Sequence, residues 1–330
     1  MSRELGECQC SISGGAGTVS TQSISNVIVS CVYIPSPSVF INSSTIGISL
    51  GYLRQMFFDG TFLYVVNSTD ANQTTSLGGK VYKFDTSGAY VSTIGSLMKW
   101  PFSVGVYNSN VFVVATDTLG GNSGLINLNS GTSPVITSLS SPYGLGIDST
   151  NGRVFISDVG GGTYANGVVV YNIGSYGAPV SSVTIGSAPV GLAFDSSSGY
   201  MFVTRYSATS AGVYKINTTT FATSALVSSS FGNIFNNPTG IAVRTSKREV
   251  YVANTGTTSG DTDSSILKIT YDNSGNATAV TTFLSGTSAN DMLCGPVGLA
   301  INGNTLYVSN SSCTTNNAYA KSIIKISLEN

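Results

Sequence analysis

What this chain lacks narrows its chemistry first. No histidine occurs among its 330 residues, which removes the commonest general base and the commonest transition-metal ligand. Ser/His/Asp and Cys/His arrangements are therefore excluded. Ser-x-x-Lys occurs at Ser96/Lys99, Ser265/Lys268 and Ser322/Lys325. That spacing works on a helix, but the last two pairs fall in predicted strands, where i and i+3 point to opposite faces. Gly160-Gly-Gly162 follows a strand and opens no helix, so it is no phosphate loop. The carboxylates that could hold a cation are Asp158, at a predicted strand end, and Asp261-Thr-Asp263 in a polar insertion, with Asp70 and Asp117 in comparable loops. Asp59, Asp148 and Asp195 precede Gly- or Ser-rich turns, where a carboxylate accepts backbone N–H bonds. No catalytic residue is assigned. The expectation is a chain that is no enzyme and needs no cofactor, Ca²⁺ at Asp158, Asp261 or Asp263 being the exception the residues allow.

A repeated unit carries these residues. Pro189-Val-Gly-Leu-Ala-Phe-Asp195, a Ser/Gly turn and Tyr200-Met-Phe-Val-Thr204 read as a small-residue strand, a tight turn and an aromatic, β-branched strand. The pattern returns at Leu53, Pro101, Pro142, Pro238 and Pro296, with spacings from 41 to 58 residues. A third strand follows in each repeat, and a fourth in all but the last. A period of about 40 to 50 residues with four strands per unit is the signature of a β-propeller. Repeats start near 47, 96, 141, 187, 236 and 287, and the last one stops at Asn330 without its outer strand. An open edge invites aggregation, so residues 38–46 are expected to supply that strand and close an all-β ring of six blades over 36–330. Seven blades, with 18–46 forming most of an extra one, is the alternative. Residues 1–35 then form a β extension. Its apolar run (Val27, Ile28, Val29, Val32, Tyr33, Ile34) must pack on its own ring or add to a neighbour's sheet edge. Donation that never closes would give a filament.

The unit Pro-x-Gly-(Leu/Ile)-Ala with a second strand such as Tyr251-Val-Ala-Asn254 or Tyr307-Val-Ser-Asn310 resembles the YVTN-type β-propellers of prokaryotic surface and surface-layer proteins and the NHL repeat, over about residues 47–330. Phe202-Val-Thr-Arg205 and Phe155-Ile-Ser-Asp158 drift from that core. The resemblance implies a funnel-shaped ring whose faces bind other molecules, and an extracellular location. The residues closing the second strands, Asn67, Thr116, Asp158, Arg205, Asn254 and Asn310, are expected on one face near the central channel. The architecture is also similar to gluconolactonase-like six-bladed enzymes, which imply Ca²⁺ held by Glu, Asn and Asp at the channel mouth. Here Asp158 is the ring's lone carboxylate, Arg205 adds a positive charge, and no glutamate lies between Glu7 and Glu249. Turn capping is the simpler role for these residues.

Composition bounds the partners. Only 9% of residues are charged, 14 basic against 15 acidic, so the clustered cations that nucleic acid requires are missing. A surface solubilised by hydroxyls and amides reads as extracellular or cell-surface. No apolar run is long enough for a membrane span. The first ten residues lack a signal-peptide pattern, so the numbering is expected to begin after processing, or export to be unconventional. Cys294 and Cys313 flank two neighbouring strands of the last repeat and are expected to bridge, and Cys31 to pair with Cys8 or Cys10. Asn42, Asn67, Asn72, Asn217, Asn276 and Asn310 begin Asn-x-Ser/Thr and are candidate glycosylation sites. The reading is a self-assembling structural or adhesive propeller, a homopolymer joined through its N-terminal segment. The alternatives are a module binding surface glycans or proteins, and a metal-dependent hydrolase or lactonase.

Overall fold

A computed structural model describes residues 7–13, 28–68, 78–116, 123–131, 133–207, 210–228, 234–256, 263–286, 292–311, 313 and 318–329. Runs of Val, Ile, Tyr and Phe broken by Gly, Asn and Asp turns form antiparallel sheets that follow one another around a ring. The N-terminal strands are β1 (Glu7–Ser13), β2 (Ile28–Ile34) and β3 (Pro37–Ile41), followed by the single helical turn α1 (Ser43–Ile46). Blade 1 is β4 (Tyr52–Phe58), β5 (Leu63–Ser68), β6 (Gly79–Phe84) and β7 (Tyr90–Met98). Blade 2 is β8 (Pro101–Tyr107), β9 (Asn110–Ala115), β10 (Gly124–Asn127) and β11 (Pro134–Ile136). Blade 3 is β12 (Pro142–Asp148), β13 (Arg153–Asp158), β14 (Gly167–Asn172) and β15 (Ser181–Thr184). Blade 4 is β16 (Pro189–Asp195), β17 (Tyr200–Arg205), β18 (Gly212–Asn217) and β19 (Thr223–Ser228). Blade 5 is β20 (Pro238–Arg244), β21 (Glu249–Asn254), β22 (Ser265–Tyr271) and β23 (Ala277–Ser285). Blade 6 is β24 (Pro296–Asn302), β25 (Thr305–Asn310) and β26 (Ser322–Ser327), with β3 as its outer strand. The ring is a six-bladed β-propeller.

The closing strand differs in extent from expectation. β3 pairs with β26 through Ile41 opposite Ile323 and Val39 opposite Ile324, but residues 42–46 leave the sheet. The reason is local: Asn42 Oδ1 accepts from the Thr45 N–H while Thr45 Oγ1 accepts from the Asn42 N–H, a reciprocal cap that starts α1. Gly47, at φ 65°, ends it.

β1 and β2 form a separate two-stranded antiparallel sheet. The segment expected to be donated to a neighbour therefore pairs along one edge with β1 of its own chain. The Tyr33 hydroxyl also donates to the Ser327 carbonyl of blade 6, so the hairpin is tied to its own ring. Ile28 and Ile34 remain exposed, and Val27 lies outside the described residues. Of Val29 and Val32 only the backbone, within β2, is described.

Apolar side chains fill the spaces between blades. Blades 3 and 4, for example, share a cluster of Phe155, Val168, Val170, Met201, Val203 and Ile216. Burial of such side chains contributes about 1.5–3 kcal/mol each. Among the described residues no helix is long and apolar enough to cross a membrane.

Candidate functional site

The inner strands of all six blades share one irregularity, a register shift just after the first residues: between Leu53 and Met56, Pro101 and Ser103, Pro142 and Leu145, Pro189 and Leu192, Pro238 and Ile241, and Pro296 and Gly298. Proline suits a strand's first residue, where no ladder N–H is needed. The bulge that follows re-aims the next side chain. The residue after the proline (or after Leu53 in blade 1) consequently lines one mouth of the channel: Arg54, Phe102, Tyr143, Val190, Thr239 and Val297, around a cavity of about 430 Å³ completed by Gln55, Val159, Ala188 and Tyr206.

The next position must be glycine in four blades because the inner strands converge there. A Cβ on Gly144 would lie 1.8 Å from Val190 O, on Gly191 2.3 Å from Thr239 O, on Gly240 2.5 Å from Val297 O and on Gly298 2.3 Å from Arg54 O. In blade 1 Gln55 replaces the glycine, and its Nε2 donates to Val297 O at 3.1 Å.

Hydroxyls at the ends of the second strands join each blade to the next. Ser68 donates to Pro101 O, Thr116 to Pro142 O and Thr255 to Pro296 O. Ser157 donates to Val190 O, Thr204 to Thr239 O and Ser309 to Arg54 O. The mouth is thereby held in fixed geometry at all six joints. The sequence carries this signal, a Ser or Thr beside each second-strand end, but reading it requires knowing which strands abut.

The mouth is asymmetric. The Arg54 guanidinium lies 4.4 Å from the Tyr52 ring centre and 4.6 Å from that of Phe102, and Phe102 lies 4.1 Å from Tyr143, ring to ring. Blades 1 to 3 thus present a cation–aromatic stack, while blades 4 to 6 present Val190, Thr239 and Val297. Arg54 Nε is fully enclosed without a hydrogen-bond partner. Burial pushes the guanidinium below its ordinary pKa, opposed by Tyr52 and Tyr143.

The ring of oxygen ligands that the gluconolactonase likeness implies does not form at this mouth; in keeping with the simpler capping role, the second-strand ends turn back to hold the loops that enter the inner strands. Asp158 accepts from the N–H groups of Ser140, Ser141 and Gly160. Asn67 accepts from Gly51, and Arg205 donates to Ile185 O and Ser210 O. Asn254 donates to Ile234 O. Asn310 donates to Met292 O and accepts from the Cys294 N–H. Thr116 lies one residue beyond β9, and Ala115 stands in that ring instead. Asp263 Oδ2 accepts from Asn236 at 2.8 Å; Asp261, Asp70 and Asp117 lie outside the described residues. Asp59, Asp148 and Asp195 each bind their own turns. Ser265, Lys268, Ser322 and Lys325 lie in strands β22 and β26. Among the described residues no three of His, Cys, Asp and Glu gather.

Cys294 and Cys313 are bridged. Cys10 is disulfide-bonded, and its register partner across the hairpin is Cys31; of Cys8 only the backbone is described. Asn67 and Asn310 are buried at 2% and 0% exposure, which leaves no room for a glycan on either. Asn276 is exposed, Asn42 and Asn217 are half-buried, and Asn72 lies outside the described residues.

Two further hollows carry less. A groove of about 720 Å³ between blades 1 and 2 contains Asp59, but that carboxylate is consumed by Thr61, Phe62 and Tyr64. Between the later halves of the inner strands lies a space of about 290 Å³, lined by Leu145, Ile147, Leu192, Ile241 and Leu299 together with Ser149 and Ser196 among others.

No family model and no curated protein matches the sequence. Solved structures do match in fold. A putative oxidoreductase (glucose dehydrogenase) from Thermus thermophilus is similar at 13% identity and TM-score 0.62, over 88% of this chain and 99% of that one. The PQQ-bound aldose sugar dehydrogenase of Streptomyces coelicolor gives 12% and 0.60, over 89% and 98%. Regucalcin, a calcium-binding protein from Agrobacterium tumefaciens, gives 11% and 0.54, over 85% and 92%. These likenesses establish the ring and nothing finer. They also overturn two expectations. A chain of this architecture cannot be set down as no enzyme when similar rings are dehydrogenases. Nor can a cofactor be discounted when one such ring holds PQQ and another binds calcium. The residues at this mouth nevertheless do not fit a hard cation: among the described residues that line it, the one charged group is Arg54 and none is a carboxylate. A single guanidinium also matches poorly to PQQ, a polycarboxylate.

Proposed function

We propose that this chain is an exported ligand-binding propeller that takes a saccharide at the channel mouth. The observation that carries the reading is the asymmetry of six equivalent positions, with Arg54, Phe102 and Tyr143 stacked on one side and Val190, Thr239 and Val297 on the other. Aromatic faces beside polar groups in a cavity of 430 Å³ are the composition of a small-molecule site, which typically spans about 300–1,000 Å³. The backbone beside it is strained: Ala188 and Trp100, preceding the prolines of blades 4 and 2, have φ of 36° and 44°. Such conformations cost about 1–3 kcal/mol each and cluster at binding sites. Sugars as ligands accord with the names of the aldose sugar and glucose dehydrogenases. Export accords with the bridged Cys294 and Cys313, the low charge, and the resemblance to YVTN-type surface propellers.

The test is an array of defined oligosaccharides followed by calorimetry. Tyr143→Ala, which removes the platform, and Val190→Phe, which fills the cavity, should each weaken binding at least tenfold without moving the melting temperature. If no sugar binds the wild type, or both variants bind normally, the reading fails.

A further inference from the structure

We propose that the saccharide is acidic and that its carboxylate seats on the Arg54 guanidinium. The inference rests on the saccharide reading and adds the class of sugar. Arg54 is the one charged group among the described residues lining the mouth. Ion pairs among the described residues, such as Arg244–Glu249, Lys268–Glu249 and Lys268–Glu329, lie elsewhere and do not take up Arg54. Its backbone is fixed, since Arg54 O accepts from Ser309. Its side chain is fixed too, crowded by Tyr52 and Phe102. The N–H bonds of a guanidinium point in its own plane, so a partner that pairs with them approaches there. A group approaching in that plane and filling two parallel donors is a planar carboxylate.

A partly desolvated cation is costly to leave without a counter-charge, and among the described residues no ion pair supplies one. The ligand must then bring it. The charge it brings is one unit, because a dianion would be left half-neutralised against Val190 and Val297. The sugar ring then continues onto Tyr143, whose ring lies 4.1 Å from that of Phe102. A uronic acid has this layout, a carboxylate on the edge of a ring with apolar C–H faces.

The experiment measures binding of defined uronic-acid oligosaccharides and of the same oligosaccharides with each carboxyl reduced to a primary alcohol, to wild type, Arg54→Gln and Arg54→Lys. Reduction should weaken wild-type binding at least tenfold. Arg54→Gln should bind the acid form as weakly as the reduced one, and Arg54→Lys, charged but without the fork, should fall between. Tyr143→Ala should weaken both forms alike. Equal binding of intact and reduced sugars by wild type overturns the inference, as does an Arg54→Gln that keeps the difference. Should Arg54→Gln fail to fold, the wild-type comparison and Arg54→Lys decide. Binding of neutral sugars alone sinks the acidic assignment and spares the saccharide reading. No binding of any sugar sinks that reading instead.

Discussion

The Ser309 hydroxyl donates to the Arg54 carbonyl at 3.0 Å and accepts from the Gly298 N–H at 2.8 Å. One side chain thus closes the ring from the last blade to the first and fixes the backbone of the residue on which the binding argument depends. The same double use recurs at Ser157, with Gly144 N–H and Val190 O, and at Thr204, with Gly191 N–H and Thr239 O.

Ser309→Ala strands a buried donor and a buried acceptor, and should cost about 2 kcal/mol in a denaturant titration, unsatisfied buried groups costing about 1–3 kcal/mol. Ser311→Ala is the contrast. The Ser311 hydroxyl is buried with no partner, so its removal should leave stability unchanged or raise it. Equal losses from the two variants would show that the joint at Arg54 contributes nothing.

Gly144→Ala should destabilise the fold by about 3 kcal/mol or more, since the added methyl meets the backbone oxygen of Val190 at 1.8 Å and no rotamer can move it away. Gly161→Ala, with nothing within 4 Å, should stay within about 0.5 kcal/mol of wild type. Melting curves of the two proteins decide this, and a wild-type-like Gly144→Ala would mean that the inner strands do not converge as described.

Asp195 sets an acid limit. Burial pushes its carboxyl up, but bonds from Ser198, at 2.5 Å, and from Tyr271 of blade 5, at 2.7 Å, outweigh burial and hold it below the usual carboxylate range. Glu249 is likewise held low against its burial, by Lys268, Tyr251 and Arg244. Both groups bind protons more weakly folded than unfolded. Their stabilisation is therefore present above the unfolded values of about 4 and is lost as pH falls through the folded ones. Unfolding midpoints should hold steady from neutrality to about pH 5 and decline below about pH 4. Tyr271→Phe should lower stability at neutral pH by about 1.5–3 kcal/mol, the value of a hydrogen bond to a charged group, and shrink the acid decline. An unchanged acid limb in Tyr271→Phe would remove Asp195 from the explanation.

Expressed in a glycosylating host, the protein should carry glycan at the exposed Asn276 and none at Asn67 or Asn310, which are buried and bonded into the ends of β5 and β25. Peptide mass spectrometry reads occupancy directly. A glycan on Asn310 of folded protein would contradict its packing.

The ring was legible in the chain because its period is local: Pro-x-Gly, a turn, and an aromatic strand recur within one blade's length, and near-continuous apolar runs mark strands buried on both faces. The sheet's need for a partner likewise pointed to a closing strand from the N-terminus, and β3 pairs with β26. Its end at Ile41 was misjudged because residues 42–46 read as strand in composition while the Asn42 side chain starts a helical turn. β1 escaped notice although residues 7–13, Glu-Cys-Gln-Cys-Ser-Ile-Ser, alternate polar with apolar, because two of the three apolar positions are cysteines and drew attention as disulfide candidates; the pairing with β2 is a matter of tertiary contact. At the site, Arg54, Phe102, Tyr143, Val190, Thr239 and Val297 stood in view as the variable x of the repeat, yet nothing in one repeat says that x faces the channel.

By itself, the sequence determined the number and order of the strands in each repeat, the exclusion of histidine chemistry, and the pairing of Cys294 with Cys313, all of which follow from composition and short spacings. Tertiary structure alone decided which side of each strand end meets the channel. The bulges rotate Arg54, Phe102 and Tyr143 inward, while backbone hydrogen bonds draw Asp158 and Asn310 outward to their loops. Ring closure is the physical reason. It brings together residues from separate blades, and stacking between side chains dozens of positions apart has no counterpart in any local pattern.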